Sequence, residues 1–284
     1  AEWAHLEDGP STLTAEEIAR MEAHFVPASY PEAPTGDLEA ERLANPAFSR
    51  WVEQNVHPHR EAGWASVILS TKITGVPPGD VSDGQMDAVA DWADEYGFGE
   101  IRISHEQNFV LPDVPVASLF ELYEKAVAQQ LAAPNAGLIS DIICCPGGDY
   151  CSLANAKSIP VAEAIQAELE DLDYQHDLGP IDLNISGCMN ACGHHHVGHI
   201  GILGVDKKGS EFYQISLGGH SGHGESAASL GQIVGPSVAR DEVVPVIEKI
   251  LSTHVQLRQE DETFLACFQR TGIEPFKEAL YGTA

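Results

Sequence analysis

A chain of 284 residues with 15 basic and 43 acidic side chains carries a formal charge of −28. That balance argues against nucleic acid, whose binding needs a basic footprint, and against anionic membrane surfaces. The length suits one large domain or two ordinary ones with a sizeable core, and no run of about 18 apolar residues is present to span a bilayer. With no secretory signal at its start the chain is expected in a reducing, cytoplasmic setting. Its opening, Ala1-Glu2-Trp3 without methionine, is compatible with processing or with a fragment.

Residues 1–63 read as an irregular leader or wrapping arm. Thr14-Ala-Glu-Glu17 is a capping box with Ile18, Met21 and Phe25 at helical spacing behind it, and Pro27, Pro31 and Pro34 break the pattern. A second short helix is expected over 46–56. From Trp64 to Thr71 the pattern is that of a strand, followed by a turn at 75–79. Ser82 with Gln85 starts a helix whose apolar stripe is Met86, Val89, Ala90, Ala93 and Tyr96, ended by Gly97. Strands over 100–104 and 108–111 follow, then a helix opened by Ser118 and Glu121. Strand, helix, strand, strand, helix over 64–135 predicts a small ferredoxin-like α+β module.

Residues 136–257 hold five of the six cysteines, in Cys144–Cys145-Pro-Gly-Gly-Asp-Tyr-Cys151 and Cys188-Met-Asn-Ala-Cys192. Pro160 starts a helix with Ile165, Leu169 and Leu172 on one side, strands are expected over 181–185, 199–205 and 212–217, and a long amphipathic helix over 241–257. A helix between the two cysteine pairs fits a crossover that brings two distant loops to one sheet edge. Residues 258–284 read as a C-terminal extension. Two thiolate pairs converging on one site suit an iron–sulfur cluster or zinc. The five-residue spacer of the first pair fits structural zinc poorly, and disulfides are the remaining alternative, since connectivity cannot be deduced from spacing. Cys144 points away from its neighbour if the segment is extended, and Cys267, in an apolar run, reads as core. His194, His195, His196 and His199 are candidates for zinc binding or proton donation.

Taken in order, Cys145-Pro-Gly-Gly-Asp-Tyr-Cys151-Ser-Leu-Ala, Leu183-Asn-Ile-Ser-Gly-Cys188-Met-Asn-Ala-Cys192-Gly and Ile200-Gly-Ile-Leu-Gly204 resemble the signature of the sirohaem-dependent sulfite and nitrite reductases. The resemblance implies that Cys145, Cys151, Cys188 and Cys192 hold a [4Fe-4S] cluster and that Cys192 bridges it to the sirohaem iron. It also implies that Asn190 reaches the macrocycle edge, and that the glycine-rich run from Gly218 to Gly224 lies near the macrocycle. Gly187 and Gly193 would remove bulk where a cofactor approaches backbone.

Gly99-Glu-Ile-Arg-Ile-Ser-His-Glu-Gln-Asn108 resembles the family's ferredoxin-like repeat, in which arginine and glutamine lie near the sirohaem. Arg102 is therefore a candidate cofactor contact, its alternative being a surface ion pair. Glu106 stands where the cofactor-facing copy of the repeat has a second arginine, so this looks like the copy that faces away.

The expected fold class is α+β, a ferredoxin-like half-module followed by an α/β sirohaem and [4Fe-4S] domain, equivalent to the C-terminal half of a complete reductase. Reduction of sulfite to sulfide takes six electrons and needs positive charge and proton donors over the open haem face. Lys72, Lys157, Lys207 and Lys208 are too few and scattered to supply that charge, and Lys157, six residues after Cys151, is the best catalytic candidate. The expectation is a cofactor-bearing half of an assimilatory sulfite reductase, with nitrite as the alternative substrate. Its partners would be a complementary N-terminal half and a ferredoxin or flavoprotein donor. A non-catalytic iron–sulfur carrier or a zinc-stabilised scaffold is the reading from a different class.

Overall fold

The computed structural model of the chain describes residues 12–25, 28–34, 36–222 and 227–282. Contacts divide the chain into residues 1–33 and 34–284. In the first unit α1 (Ala15–Glu22) starts at Thr14, whose hydroxyl accepts the Glu17 N–H at 3.1 Å. The Glu17 carboxylate is held by Arg20 at 2.9 and 2.6 Å. Ile18, Met21 and Phe25, expected as an apolar stripe, are all exposed. Pro27 lies outside the described residues.

The second unit begins with α2 (Leu38–Ala44) and α3 (Pro46–Asn55). Asn45 caps α3 through its side-chain oxygen, which accepts the Phe48 N–H, and Pro46 occupies the first helical turn, where its missing donor costs nothing. Phe48 and Trp51 on the inner face of α3 are fully buried, with the Phe120 and Tyr123 rings against Phe48 at centroid distances of 5.1 and 5.3 Å. The chain then forms β1 (Val56–Pro58), antiparallel to β2 (Trp64–Leu69). The leader expected to reach residue 63 is thus corrected: its second half supplies an edge strand and two core aromatics to the ferredoxin-like module. Its prolines and short elements hid that role in the sequence.

The module's sheet has the order β1-β2-β4-β3, with β3 (Arg102–Ile103) short and β4 (Phe109–Pro115) long. Between β2 and β3 runs α4 (Asp83–Tyr96), started by both bonds of the Ser82–Gln85 capping box and ended at Gly97. Its buried face is Val89, Trp92, Ala93 and Tyr96, while Met86 is exposed. After β4 comes α5 (Leu119–Ala128), whose Leu119, Leu122 and Ala126 complete this core.

The second sheet has the order β10-β8-β7-β6-β5, with β9 also paired to β8. Here β5 (Ile143–Cys144), β6 (Leu183–Ser186) and β7 (Ile200–Lys207) are parallel, and β8 (Ser210–Leu217) returns antiparallel. The short strands β9 (Gln232–Ile233) and β10 (Val238–Ala239) both pair with β8 along the edge away from β7. Parallel neighbours need a long connection, and α6 (Ile159–Glu168) with α7 (Leu172–Leu178) supplies it between β5 and β6. Beyond β10 come α8 (Val243–Leu257), α9 (Phe264–Thr271) and α10 (Glu274–Tyr281). Phe264, Phe268 and Phe276 share one buried cluster with Ile185, Ile202 and Ile250, so the expected C-terminal extension belongs to the same core as the sheet. Among the described residues no helix is long and apolar enough to cross a membrane.

Candidate metal-cluster site

The two cysteine pairs meet because β5 and β6 are parallel neighbours, paired Ile143 to Asn184 and Cys144 to Ile185. Chain leaving both strands emerges at the same sheet edge, with Cys145 just past β5 and Gly187-Cys188 just past β6. The Cys145 N–H continues the ladder to the Ile185 carbonyl at 3.1 Å. The Cys145 thiol accepts the Gly187 N–H at 3.1 Å and lies 3.7 Å from the Ser158 hydroxyl. A backbone amide aimed at sulfur is the kind of hydrogen bond that stabilises a metal-bound thiolate.

The loop between Cys145 and Cys151 is fastened to the second pair. Asn155 and Ala156 donate their N–H groups to the Gly187 carbonyl at 2.8 and 3.0 Å, and Cys151 donates its own to the Gly147 carbonyl at 2.9 Å. The second loop is fixed by the Ser186 hydroxyl, which accepts the Gly193 N–H at 3.1 Å, and by the Asn184 amide, which donates to the His194 carbonyl at 3.0 Å. Ala191 and His194 adopt positive φ of 56° and 54°, so this turn holds a conformation that L residues seldom adopt.

The glycines of both loops pack closely against backbone. A Cβ on Gly187 would stand 2.7 Å from the Ala156 carbonyl oxygen and from Gly147 Cα, and one on Gly193 would stand 2.0 Å from the Ile185 carbonyl oxygen. The space their missing side chains free is taken by protein backbone, so both glycines let the loops close on the strands. Gly218 likewise makes room for the Phe268 ring, which its Cβ would meet at 2.0 Å. The last two residues of that run, His223 and Gly224, lie outside the described residues.

All six cysteines are free thiols, so no disulfide competes for them. Four thiolates on one zinc ion at about 2.3 Å would stand about 3.8 Å apart. Among the described residues, the group with metal-ligating atoms mutually within 4.8 Å is Asp182, His199 and His220, and no trio of cysteines joins it. Cys188 is buried and Cys145 half-buried, whereas Cys151 and Cys192 are exposed. Tyr150, Leu153 and Met189 beside them are 82%, 71% and 84% exposed, an apolar rim round the open side. Cys144 stays out of this set: burial pushes its thiol well above the ordinary range, and it donates to the Cys145 carbonyl at 3.3 Å. Cys267 is fully buried in the core, its thiol also raised by burial.

The other candidates separate cleanly. Arg102 is exposed and paired with Glu100 at 2.5 Å. Asn190 is exposed in the turn between Cys188 and Cys192. Lys157 borders the first loop, its ammonium 3.1 Å from Asp149 within that loop. Lys72 is buried, with its ammonium 3.4 Å from Asp141, 3.2 Å from the Asn108 oxygen, and bonded to the Glu106 carbonyl. Asn108 completes the network by donating to Asp141 at 2.9 Å, so this lysine joins the two modules. Lys207 lies over the Phe212 ring at the β7–β8 turn.

Among the histidines, His195 is buried, with neither ring nitrogen hydrogen-bonded, and burial followed by the neighbouring His196 holds its pKa down to about 4. It is neutral near pH 7 and carries no imidazolium proton to donate.

The glutamine of the quoted ferredoxin-like repeat has a packing role that the sequence did not reveal. Gln107, in the β3–β4 turn with φ of 66°, clasps the Cys144 backbone with its side-chain amide. Its Nε2 donates to the Cys144 carbonyl at 3.0 Å and its Oε1 accepts the Cys144 N–H at 3.0 Å. The same turn brings the His105 ring to 5.8 Å from that of His194. The ferredoxin-like module thus braces both cysteine loops from one turn. Neighbouring Glu-Gln-Asn in a strand-to-strand turn was the available signal, but nothing local says that an amide there reaches residue 144.

Residues 136–283 match the family described as the nitrite and sulphite reductase 4Fe-4S domain, and residues 73–129 match the nitrite/sulfite reductase ferredoxin-like half domain. The ferredoxin–nitrite reductase of Synechococcus elongatus is 32% identical over 219 residues, which are 73% of this chain and 40% of that protein. Sulfite reductase [ferredoxin] 2 of Mycolicibacterium paratuberculosis is 31% identical over 80% of this chain and 42% of its own length. The structure of the Mycobacterium tuberculosis NirA protein superposes with a TM-score of 0.64 at 25% identity, covering 97% of this chain and 47% of that one. The chain therefore spans about two fifths of the length of these two reductases.

Proposed function

The chain belongs to the nitrite and sulphite reductase 4Fe-4S family, and from that premise we propose that it is the cofactor-holding half of a six-electron reductase of sulfite or nitrite. In this reading Cys145, Cys151, Cys188 and Cys192 ligate a [4Fe-4S] cluster, and the Cys192 thiolate also ligates the iron of sirohaem. When bound, that pair of cofactors supplies stepwise electron transfer to an anion on the open haem face.

The observation that carries the proposal is the convergence of two free thiol pairs at one edge of parallel strands, with the Gly187 N–H donating to Cys145 at 3.1 Å. The chain's own residues orient the ligands through the Gln107 clasp and the Ser186 and Asn184 loop bonds. The exposed rim of Tyr150, Leu153 and Met189 supports a covered rather than solvated site in the complete enzyme.

Substrate is carried as sulfite first and nitrite second; relatives of both kinds match at nearly equal identity. Either anion needs a cationic clamp. The lysines near the site do not offer one, because Lys72 is committed to Asp141 and Lys157 to Asp149. That supports a complementary half, in the same parent chain or a separate one, as the source of the clamp. Ferredoxin, named in both curated relatives, is the expected donor.

The test is anaerobic reconstitution followed by analysis of iron, acid-labile sulfide and zinc. About four irons per chain is expected, and zinc in place of iron refutes both redox readings. Turnover of sulfite against nitrite with the complementary half present then decides the substrate.

A further inference from the structure

A second constellation lies at the opposite end of β6. We propose that Asp182, His199 and His220 form a mononuclear site for a divalent transition metal of the zinc class, separate from the cysteine loops. Their ligand atoms lie within 4.8 Å of one another, with His199 and His220 buried and Asp182 half-buried. The Asp182 carboxylate is 3.6 Å from His199 Nε2, and the two imidazoles stack at a centroid distance of 5.7 Å with 20° between their planes.

The sheet register creates this grouping. Leu183 pairs with Ile200 and Ile200 with Leu217, so Asp182, His199 and the chain just past β8 leave three adjacent strands at one end. Backbone bonds hold each ligand there. The Asp182 carbonyl accepts the Ile200 N–H at 3.0 Å, the His199 carbonyl accepts the Gly218 N–H at 2.9 Å, and His220 exchanges two 2.9 Å bonds with Ser229. Cys188 follows the other end of β6, four strand residues and about 13 Å away along the strand.

Two imidazoles and a carboxylate are a borderline-soft set that suits zinc, iron, nickel or copper better than magnesium or calcium. Bond lengths of about 2.0–2.2 Å to a tetrahedral ion place such ligands about 3.4 Å apart, so a small contraction closes the group. Three protein ligands leave a coordination position open. Asp182 also lines a cavity of about 290 Å³ with Asn184, Val197 and Ser221. Loading requires one rearrangement. His199 Nδ1 accepts the Asp182 N–H at 3.0 Å, which keeps the ring proton on Nε2, so binding through Nε2 moves that proton to Nδ1 and releases the Asp182 N–H.

The test is titration of the purified full chain, stripped of adventitious metal under anaerobic conditions, with Co²⁺ as the probe. One Co²⁺ per chain is expected with visible ligand-field bands of nitrogen and oxygen ligation, and Zn²⁺ should displace it. Thiolate-bound cobalt is told apart by its near-ultraviolet charge-transfer band. Asp182→Asn and His199→Gln should each weaken the nitrogen–oxygen site at least tenfold, while His196→Gln leaves it intact. Absence of that site, cobalt held by thiolate alone, or binding unchanged in both variants would overturn the proposal. If His199→Gln does not fold, the isosteric Asp182→Asn decides. None of these outcomes bears on the cluster reading, whose iron is counted independently.

Discussion

Replacing Gln107 by methionine keeps the length of the side chain and removes the amide. Both polar groups of the Cys144 backbone then lose a partner that stands at 3.0 Å, in a residue only 3% exposed. A neutral hydrogen bond contributes about 0.5–1.5 kcal/mol net, and a buried group left without a partner costs about 1–3 kcal/mol. The pair should therefore cost about 2–5 kcal/mol of stability. Urea unfolding followed by circular dichroism is expected to show a lower midpoint with an unchanged slope. Because Cys145 follows directly, iron should also be lost to a chelator faster than from the parent chain. Gln107→Glu refines the case. Its carboxylate still accepts the Cys144 N–H but sets a second oxygen against the Cys144 carbonyl, whereas the protonated acid donates to it as the amide did. Folding thus raises that carboxyl's pKa above its unfolded value of about 4.3. The stabilisation is fully present below that value and is lost as pH rises through the folded one. A Gln107→Met midpoint corresponding to less than about 0.5 kcal/mol of change, or a Gln107→Glu deficit independent of pH, would refute the clasp.

Cys192→Ser should lower iron retention or alter the iron spectra, whereas Cys267→Ser, in the fully buried core, should leave both unchanged; equal effects would contradict the ligand assignment. Gly193→Ala places a Cβ 2.0 Å from the Ile185 carbonyl oxygen and should cost about 1–3 kcal/mol, read as a lowered urea midpoint. His195 has a folded pKa of about 4 against an ordinary value of 6.5. The unfolded chain takes up that proton first, so stability is lost as pH falls from about 6.5 to about 4, by about 3 kcal/mol at most. His195→Gln should flatten that part of the stability–pH profile, and a profile unchanged by the substitution would count against burial of a neutral ring.

Local chemistry made much of the fold readable. The Ser82–Gln85 capping box, Asn45 followed by Pro46, and the apolar runs of β6 and β7 are patterns within a few residues, and each forms its element. The convergence of the two cysteine loops was readable for the same reason, because a helix between two short motifs fits a crossover that sets parallel strands side by side. What escaped depends on contacts distant in sequence. Lys72 is drawn inward by Asp141, 69 positions on, so a lysine counted as potential positive charge is a buried joint between modules. Trp92 rather than Met86 faces inward on α4, and Phe264, Phe268 and Phe276 fold an apparent extension into the main core. Gly187 and Gly193 were legible as necessary glycines, but only the register of the loops against Ala156 and Ile185 says what occupies the space.

The exposure of the four proposed ligands gives the site a direction. Cys188 is buried, and the half-buried Cys145 has the Gly187 amide and the Ser158 hydroxyl against its sulfur. Cys151 and Cys192 remain accessible, next to Tyr150, Leu153 and Met189. On the proposed reading, Cys151 and Cys192 would therefore be the ligands open to a second cofactor, and the Cys192 loop is held in a turn with positive φ at Ala191 and His194. The apolar rim suits a flat macrocycle or a covering protein surface better than water. The acidic chain adds a constraint to the proposed reading: with −28 net charge and with Lys72 and Lys157 paired to Asp141 and Asp149, an anion-binding clamp would have to be supplied by the complementary half.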